Sequence, residues 1–419
     1  MGVLDKINDL EAWEEFFNRK KLSNSFSKKE EKEIECFINN RRFEAYYKLI
    51  KEHNFPTDFP QKKVINKVET NKKRVVYSFD NEENIVLKFI AFNLYAFDNR
   101  FCDNCYAFRR NYGVKDAISK FKKNSSFSNC YCYKADISNY FNSIDVDILL
   151  DKLEFVREAD EELFLLFRKI LKEDRVYDRG KVISDNHGAM AGMPCSPFFA
   201  NVYLSDIDRY FKENNIEYFR YSDDILFFEE DKVRMDNLIE VFLSKINHNK
   251  LTINKSKVHL YNPSEELEFL GFSYKNGIVD LSSITKKKLK GKIKRKANAL
   301  RRWQRKKNLT PDKAAIGFIK AMNYKFFGKG NKTLEMNNNY YTARDIYTDN
   351  DIDNFTWSRW FFPNITVDKS LKEIDKYMQE YIRYTVTGRH YKGNYRIKYN
   401  QLKEWGYKSL VHEYYSKDY

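Results

Sequence analysis

The chain has 419 residues, 42% hydrophobic and 16% aromatic, a composition that excludes a disordered protein and leaves room for two or three domains. The formal net charge of +15 favours a polyanionic partner. The sequence has no run of about 18 apolar residues and no basic-then-apolar start, so we expect a cytoplasmic protein with reduced thiols and no membrane span.

The N-terminal part of the chain combines helical and strand-forming segments. Residues 1–55 carry apolar side chains at helical spacing, and Pro56 marks a break after them. Residues 62–95 are typical of two strands followed by a helix, and Lys73 and Arg74 lie at the end of the turn between the strands. Basic residues on such a ribbon can grip a phosphate chain, and a solvated hairpin tip explains them equally well.

A carboxylate stands at the end of the next predicted strand. Residues 131–135 predict a core strand that ends on Asp136. A carboxylate in that position is costly unless it is solvated or bound by a ligand. Tyr140 and Phe141 follow four and five residues later, where a bulky ring can wall a small-molecule pocket or belong to the core.

A glycine- and proline-bearing loop precedes a later helix. After helical residues 146–173, the loop contains Gly192, and Ser196-Pro197 opens a helix over residues 198–211. Proline in the first turn behind a serine cap is a helix start signal. Glycine in the loop allows a nucleotide or another backbone to approach closely.

Residues 218–229 read YFRYSDDILFFE and predict a β-hairpin whose tight turn presents Asp223 and Asp224. Adjacent carboxylates repel one another and are poor strand formers. A divalent metal at the turn relieves that repulsion, whereas a bare Asp-Asp pair is usually a solvated turn.

The six cysteines include two close pairs. Cys102 with Cys105 and Cys130 with Cys132 could supply four zinc ligands. However, Cys130 and Cys132 alternate within a predicted strand, where a thiol is more often a small core residue. Both interpretations stay open from the sequence.

A basic block dominates the C-terminal part of the chain. Residues 286–307 contain thirteen Lys and Arg residues and no acidic residue. Ile293, Ala297, Leu300 and Trp303 recur among them at helical spacing, which predicts a docked helix with one cationic face. Neutralising phosphates explains such a face. A later apolar stripe over residues 371–381 is more typical of bundle core.

The order of these segments resembles the reverse transcriptases. Asp136 with Tyr140 and Phe141, the segment GMPCSPFFANVYL, and RYSDDILFF are similar to the three main palm motifs of that family, and LTINKSK and EFLGFSY to the two that follow. The resemblance implies an α+β right-hand polymerase. Its parts would be an N-terminal helical extension (1–60), fingers and palm (61–284), and a basic helical thumb with the C-terminal region (285–419). The bacterial group II intron-like and retron-like branch is most similar, above all the defence-associated "unknown group" enzymes.

The resemblance also implies roles for individual residues. Two Mg²⁺ ions, with Mn²⁺ as a possible substitute, would be held by Asp136, Asp223, Asp224 and the backbone of Ile137. Lys257 would give a proton to pyrophosphate. Nucleotide binding would involve Lys73 or Lys67, Arg74, Ala191, Gly192 and Tyr140, the last as a gate against the ribose 2′-hydroxyl. Nucleic acid would be bound by Arg110, Ser196, Pro197, Tyr221, Phe269, Leu270, Gly271, Lys292, Lys296 and Arg302.

The implied function is RNA-directed DNA synthesis, with dNTPs as substrates, a structured non-coding RNA as template and cDNA as product. The implied setting is antiphage defence. One departure concerns Met190-Ala191-Gly192, where the family usually has Pro-Gln-Gly. Alternatives are a retron-type enzyme (residues 386–388 read VTG), an RNA-directed RNA polymerase, a group II intron maturase and a non-enzymatic RNA-binding scaffold. The template, the primer and the oligomeric state are left open.

Overall fold

The computed structural model describes residues 2–22, 26–66, 73–123, 125–328 and 356–416. The chain folds into two compact units. Among the described residues, the first unit takes in those up to 117 and 129–263, and the second takes in 118–128, 264–328 and 356–416. Lys67 and Lys72, at the turn of the predicted basic ribbon, lie outside the described residues. The expected divisions at residues 60 and 284 stay predictions.

The helices that begin in the first unit follow the predicted pattern with additional breaks. They are α1 (Leu10–Leu22), α2 (Lys28–Asn39), α3 (Arg42–Lys51), α4 (Asn81–Asn93), α5 (Val114–Lys123), α6 (Tyr140–Ser143), α7 (Val146–Lys152), α8 (Glu154–Ala159), α9 (Glu161–Lys172), α10 (Ser196–Tyr203), α11 (Ser205–Glu213) and α12 (Lys232–His248). The predicted helical stretch 146–173 is three helices, because the chain leaves helical geometry at Asp160, whose carboxylate then caps α9.

Two four-stranded sheets belong to the first unit. Their strands are β1 (Gln61–Asn66), β2 (Lys73–Ser78), β3 (Tyr131–Asp136), β4 (Arg175–Asp178), β5 (Lys181–Ser184), β6 (Tyr218–Tyr221), β7 (Asp224–Glu229) and β8 (His259–Tyr261). One sheet has the order β2-β1-β4-β5, and the other has the order β6-β7-β3-β8. In the second sheet, β3 pairs antiparallel with both β7 and β8.

The N-terminal helices pack into the core of the first unit. Trp13 is fully buried, and its ring stacks on Phe89 of α4 with centroids 3.9 Å apart. Strands β3 and β7 are buried along most of their length, as their apolar sequences predict. The end of that buried pair of strands is where the acidic residues emerge.

The second unit combines a small sheet with a helical bundle. Its strands β9 (Leu267–Phe269), β10 (Phe272–Lys275) and β11 (Ile278–Leu281) form an antiparallel sheet. Its helices are α13 (Ser283–Lys306), α14 (Pro311–Phe327), α15 (Trp357–Phe361), α16 (Lys369–Thr387), α17 (Tyr399–Glu404) and α18 (Leu410–Ser416). Across the parts of the chain that the structure describes, every helix is too short or too polar to cross a bilayer.

Candidate active site

Three carboxylates lie at one end of the β6-β7-β3-β8 sheet. The antiparallel register of β3 and β7 places Asp136 directly opposite Asp224. The turn between β6 and β7 consists of Ser222 and Asp223, and the Asp223 carbonyl accepts a hydrogen bond from the Ile137 backbone N–H at 3.3 Å. Directly opposed residues on neighbouring strands have Cβ atoms about 4.5–5.5 Å apart. Residues almost ninety positions apart therefore bring their carboxylates to one point.

The surroundings of Asp223 and Asp224 disfavour the charged forms of these two carboxylates. Burial, and then the charge of Asp136, raise the pKa of Asp223 above its ordinary value. Burial is also the main cause that raises the pKa of Asp224 to about 6, and the Lys134 ammonium opposes that shift. Asp224 Oδ1 is buried and makes no hydrogen bond to any residue that the structure describes. A site with repelling carboxylates and an unsatisfied oxygen is suited to a cation.

Lysine and asparagine side chains contact the carboxylates. Lys257 Nζ donates to Asp136 Oδ2, and Asn254 Nδ2 lies 3.3 Å from Asp136 Oδ1. Lys134 Nζ lies 3.8 Å from Asp224 Oδ1. Within the described ranges, His, Cys, Asp and Glu residues form no cluster of three or more in metal-binding geometry. The ammonium groups supply the positive charge at the carboxylates in this arrangement.

Asp136 and Asp223 line a cleft with a volume of about 1270 Å³. Its lining brings together most of the predicted site residues of the first unit. They are Asp136, Ile137, Tyr140, Asp223, Lys257, Lys73, Arg74, Ala191, Gly192, Ser196 and Pro197. Phe16 and Lys20 of α1 also line it. The N-terminal helices, to which the sequence assigned only packing, thus form part of the cleft wall.

The loop that carries Gly192 is fastened to strand β2. The Tyr77 backbone N–H donates to the Ala191 carbonyl at 2.8 Å. The Asn142 side chain accepts from the Ala191 N–H at 2.8 Å and donates to the Val75 carbonyl at 3.2 Å. Asn142 therefore joins the helix after Asp136 to both the loop and β2. Sequence reasoning missed Asn142, although a polar residue directly behind Tyr140-Phe141 was the available signal.

Two aromatic residues after Asp136 have opposite surroundings. Tyr140 is 2% exposed, and its hydroxyl donates to the Ala200 carbonyl. Phe141 is half-buried, and the Arg74 guanidinium lies 5.9 Å from its ring centroid. The gate at Tyr140 stays a prediction: its hydroxyl is bonded within the core, and both its ring and that of Phe141 line the cleft, the latter beside the cation expected to bind triphosphate.

The remaining predicted contacts of the first unit differ in accessibility. Ser196 is buried, and its hydroxyl donates to the Ala189 and Met190 carbonyls, so the side chain closes the loop; its contact with nucleic acid stays a prediction. Pro197 follows in the first turn of α10 and lines the cleft. Arg110 is half-buried, with its guanidinium 5.3–5.4 Å from the rings of Tyr95 and Phe92. Tyr221 is half-buried and pairs with Asp224.

The second unit contains the residues predicted to grip a primer. Phe269 is buried at the end of β9, whereas Leu270 and Gly271 form the partly exposed turn to β10. Leu270 has φ +48° and Gly271 has φ +88°. The Gly271 carbonyl accepts from Ser282 N and Thr285 Oγ1, which fastens the turn to the start of α13. The Phe269 side chain is thus buried within this unit, whereas Leu270 and Gly271 are the more accessible of the three; their contact with a primer stays a prediction.

Helix α13 carries its basic residues in two environments. Lys286 and Lys290, the paired α13 cations, contact the Glu373 carboxylate at 3.2 and 2.6 Å. Lys292, Lys296 and Arg302, the exposed α13 cations, face solvent. Trp303, predicted to lie on the packed face, is 44% exposed. The block is therefore not one uniform cationic face.

The cysteines are reduced thiols in varied surroundings. Cys102 is half-buried, and Cys130 and Cys132 are buried at strand β3. Cys105 is fully buried, and its sulfur lies 3.0 Å from Arg220 Nη2. The thiol of Cys105 thus packs against a guanidinium, which is a poor setting for a zinc ligand.

An antiparallel sheet that brings three carboxylates together at the edge of a cleft, two of them lining it, beside a basic strand and a glycine-bearing loop, defines a palm of the polynucleotide polymerases. Residues 61–274, just over half of the 419-residue chain, match the family described as reverse transcriptase (RNA-dependent DNA polymerase). The chain belongs to that family. Its helices and sheets form the α+β right-hand polymerase fold, which confirms the predicted fold class.

Individual proteins to which the chain is similar share only part of its sequence or have a low structural similarity. The retron Ec83 reverse transcriptase of Escherichia coli is 31% identical over 148 residues, which cover 32% of this chain and 46% of that protein. The chain thus spans about half the length of the curated relative it matches. Apo telomerase from Candida tropicalis has a TM-score of 0.46 at 10% identity, over 88% of this chain and 66% of that one. Telomerase from Candida albicans, with a fragment of telomeric RNA, has a TM-score of 0.41 at 14% identity, over 89% and 68%.

Proposed function

We propose that this protein is an RNA-directed DNA polymerase that extends a primer with dNTPs on an RNA template. The observation that carries the proposal is the convergence of three carboxylates: Asp136 and Asp223 line the cleft that Arg74 also lines, and Asp224 lies directly opposite Asp136. Three acidic residues at that point are costly in a protein without a cation to bind. A nucleotidyl-transfer site requires that arrangement.

The carboxylates fit a pair of divalent ions. Asp136, Asp223 and Asp224, with the backbone of Ile137, would hold two Mg²⁺ ions, and Mn²⁺ is a chemically reasonable substitute. The buried, unsatisfied Asp224 Oδ1 supports this assignment. When bound, the ions would activate the attacking 3′-hydroxyl and neutralise the triphosphate. Lys257, which contacts Asp136, is placed to supply a proton to the leaving pyrophosphate.

The incoming nucleotide would lie between β2 and the loop at Gly192. Arg74 and Lys73 would bind its triphosphate, since both line the cleft and guanidinium groups bind phosphate in a bidentate manner. Phe141, in place of Tyr140, would exclude a ribose 2′-hydroxyl. Ala191 carries no amide to contact the sugar or base, so nucleotide contacts at this loop would come from backbone atoms.

The template and primer would be bound along surfaces of both units. In the first unit, Pro197 and Tyr221 border the cleft and carboxylates, and Arg110 supplies a half-buried cation. In the second unit, the turn at Leu270 and Gly271 would contact the primer. The exposed α13 cations would neutralise backbone phosphates.

A primer-extension assay tests the activity. Purified protein with Mg²⁺, dNTPs and a primed RNA should lengthen the primer, and the double variant Asp223→Ala/Asp224→Ala should not. Glu229→Gln, at the other end of β7, is the matched control and should extend normally. If the wild-type protein extends neither an RNA primer nor a DNA primer, the polymerase assignment is wrong.

The biological setting we propose is antiphage defence in the cytoplasm, with a structured non-coding RNA as template. Support comes from the C-terminal segments WSRWFFPNI, YIRYTVTGRH and GYKSLVHEYY, which resemble the thumb region of defence-associated enzymes. A retron-type role is the alternative, supported by the similarity to the Escherichia coli retron reverse transcriptase. Sequencing the RNA and cDNA that co-purify with the protein separates the two. A non-enzymatic scaffold would keep its phage protection in the double Ala variant, whereas a polymerase would lose it.

A further inference from the structure

A fully buried ion pair lies behind the acidic hairpin of the first unit. The Arg220 guanidinium, on β6, binds the Asp208 carboxylate, on α11, through two hydrogen bonds of 2.7 Å (Nε to Oδ1) and 2.5 Å (Nη2 to Oδ2). Both side chains are 0% exposed. Replacing such a pair by packed apolar residues is often neutral or stabilising, so its presence calls for an explanation other than stability.

The pair is the centre of a network that joins four segments. Arg220 Nη1 donates to Asn201 Oδ1 of α10 at 3.2 Å, and Nη2 lies 3.0 Å from Cys105 Sγ. Asn104 Nδ2 donates to the Asp208 carbonyl at 2.9 Å. The backbone of Arg220 also bonds that of Asn104 and Tyr106, each at 2.9 Å. Strand β6 is thus held in place through both the side chain and the backbone of Arg220.

The same guanidinium reaches the turn that presents Asp223. Arg220 Nη1 lies 3.4 Å from the Ser222 carbonyl oxygen. Ser222 has φ +62°, a left-handed conformation that a residue other than glycine adopts only when its surroundings impose it. Arg220 is therefore part of what imposes it. The peptide that leaves Ser222 leads directly into Asp223.

We infer that Asp208 and Arg220 are positioning residues that fix the β6–β7 turn and so place the Asp223 carboxylate opposite Asp136. This inference rests on the proposed polymerase function. The pair has no net charge. It therefore holds the turn without adding a net positive charge that would compete with a cation for the carboxylates, or a net negative charge that would draw the cation away. Its planar, two-pronged geometry sets the direction of β6, which a point charge cannot do.

The test compares stability with catalysis. Arg220→Lys keeps the charge but not the fork, and the double variant Asp208→Leu/Arg220→Met replaces the pair by apolar side chains. Each is measured for urea unfolding, for the KM of dNTP and for kcat per active site. The matched control is Asp206→Asn, two residues away on α11, where the carboxylate pairs with Lys152 at 2.7 Å and not with the hairpin.

We expect the double variant to be folded, with a kcat about 100-fold below wild type, as a misplacement of about 1 Å at a catalytic group produces. Arg220→Lys should lose kcat while its affinity for primed RNA stays unchanged, and Asp206→Asn should keep wild-type kcat. The inference is overturned if the double variant has both the stability and the kcat of the wild type, or if Arg220→Lys is fully active. A wild-type protein without polymerase activity would instead refute the proposed function.

Discussion

Gly192→Ala should damage the nucleotide site through one close backbone approach. Gly192 has φ +104°, and a Cβ at that position would lie 2.9 Å from the Tyr77 carbonyl oxygen and 3.2 Å from Val76 Cβ. Gly180, in the turn between β4 and β5, has φ +79° with no heavy atom within 4 Å of a built Cβ. Alanine would therefore be strained in backbone conformation at both positions, and only at Gly192 would its Cβ also clash with neighbouring atoms.

The expected loss of stability follows from these two contributions. An alanine in the left-handed region costs roughly 1–2 kcal/mol, which applies to both variants. Overpacking against β2 adds about 1–3 kcal/mol at Gly192. We expect unfolding free energies lower by about 1–2 kcal/mol for Gly180→Ala and about 2–5 kcal/mol for Gly192→Ala.

The functional consequence concerns Arg74. Because the loop is bonded to Tyr77 of β2, separating the loop from that strand shifts Arg74 on the same strand relative to the carboxylates. Gly192→Ala should therefore lower kcat/KM for dNTP at least tenfold, because a misplacement of about 1 Å costs up to about 100-fold in rate. Urea unfolding and steady-state primer extension measure the two effects. Equal losses in the two variants would refute the argument from close approach.

Three further predictions follow from the site. Phe141→Ala should admit rNTPs, whereas Tyr140→Phe should leave sugar selection unchanged, and competition between dNTP and rNTP measures this selection. Tyr140→Phe should also lower the unfolding free energy by about 1 kcal/mol, because the Ala200 carbonyl loses its donor. Asp224→Asn should abolish extension yet stabilise the metal-free protein by at least about 1 kcal/mol in urea with EDTA, since burial raises the pKa of that carboxyl; an unchanged midpoint would contradict it. Replacing all three exposed α13 cations by Gln should lower the number of phosphate contacts, as measured from the salt dependence of RNA binding, by about two to three. Replacing the paired α13 cations by Gln should leave that number unchanged. Titrations of RNA binding at several salt concentrations measure both.

The convergence of the carboxylates was predictable from the sequence. A core strand that ends on Asp136 and a hairpin whose turn presents Asp223 and Asp224 have few ways to pair, and β3 lies beside β7 as the family order implies. The surroundings of the predicted gate were not accessible from the sequence. Asn139 has φ +47°, a left-handed residue that turns the chain between the strand and α6. The two rings that follow this turn both line the cleft, but Tyr140 is buried and Phe141 is half-buried.

Tertiary partners were the least accessible to sequence reasoning. Arg220 reads as one more residue of an apolar strand, and its partner on α11 is identified only when the helix packs behind the hairpin. Trp303 shows the opposite error. Helical spacing places it on the face of Ile293 and Ala297, which are fully buried, yet the spacing does not say how far the neighbouring helices extend, and Trp303 is exposed.

The lysine contacts at the carboxylates explain how three acidic groups can be tolerated together in the absence of a cation. Lys257 and Lys134 each approach one carboxylate of the opposed pair, Asp136 and Asp224. Lys257 reaches Asp136 from a side chain that is half exposed, so it can leave without opening the core. A divalent ion held by Asp136 would take the place of this ammonium, because both need the same carboxylate oxygens. Lys257 would then lie beside the cleft, where we propose it as the proton donor to pyrophosphate, so one side chain would serve both to neutralise Asp136 and to take part in the reaction.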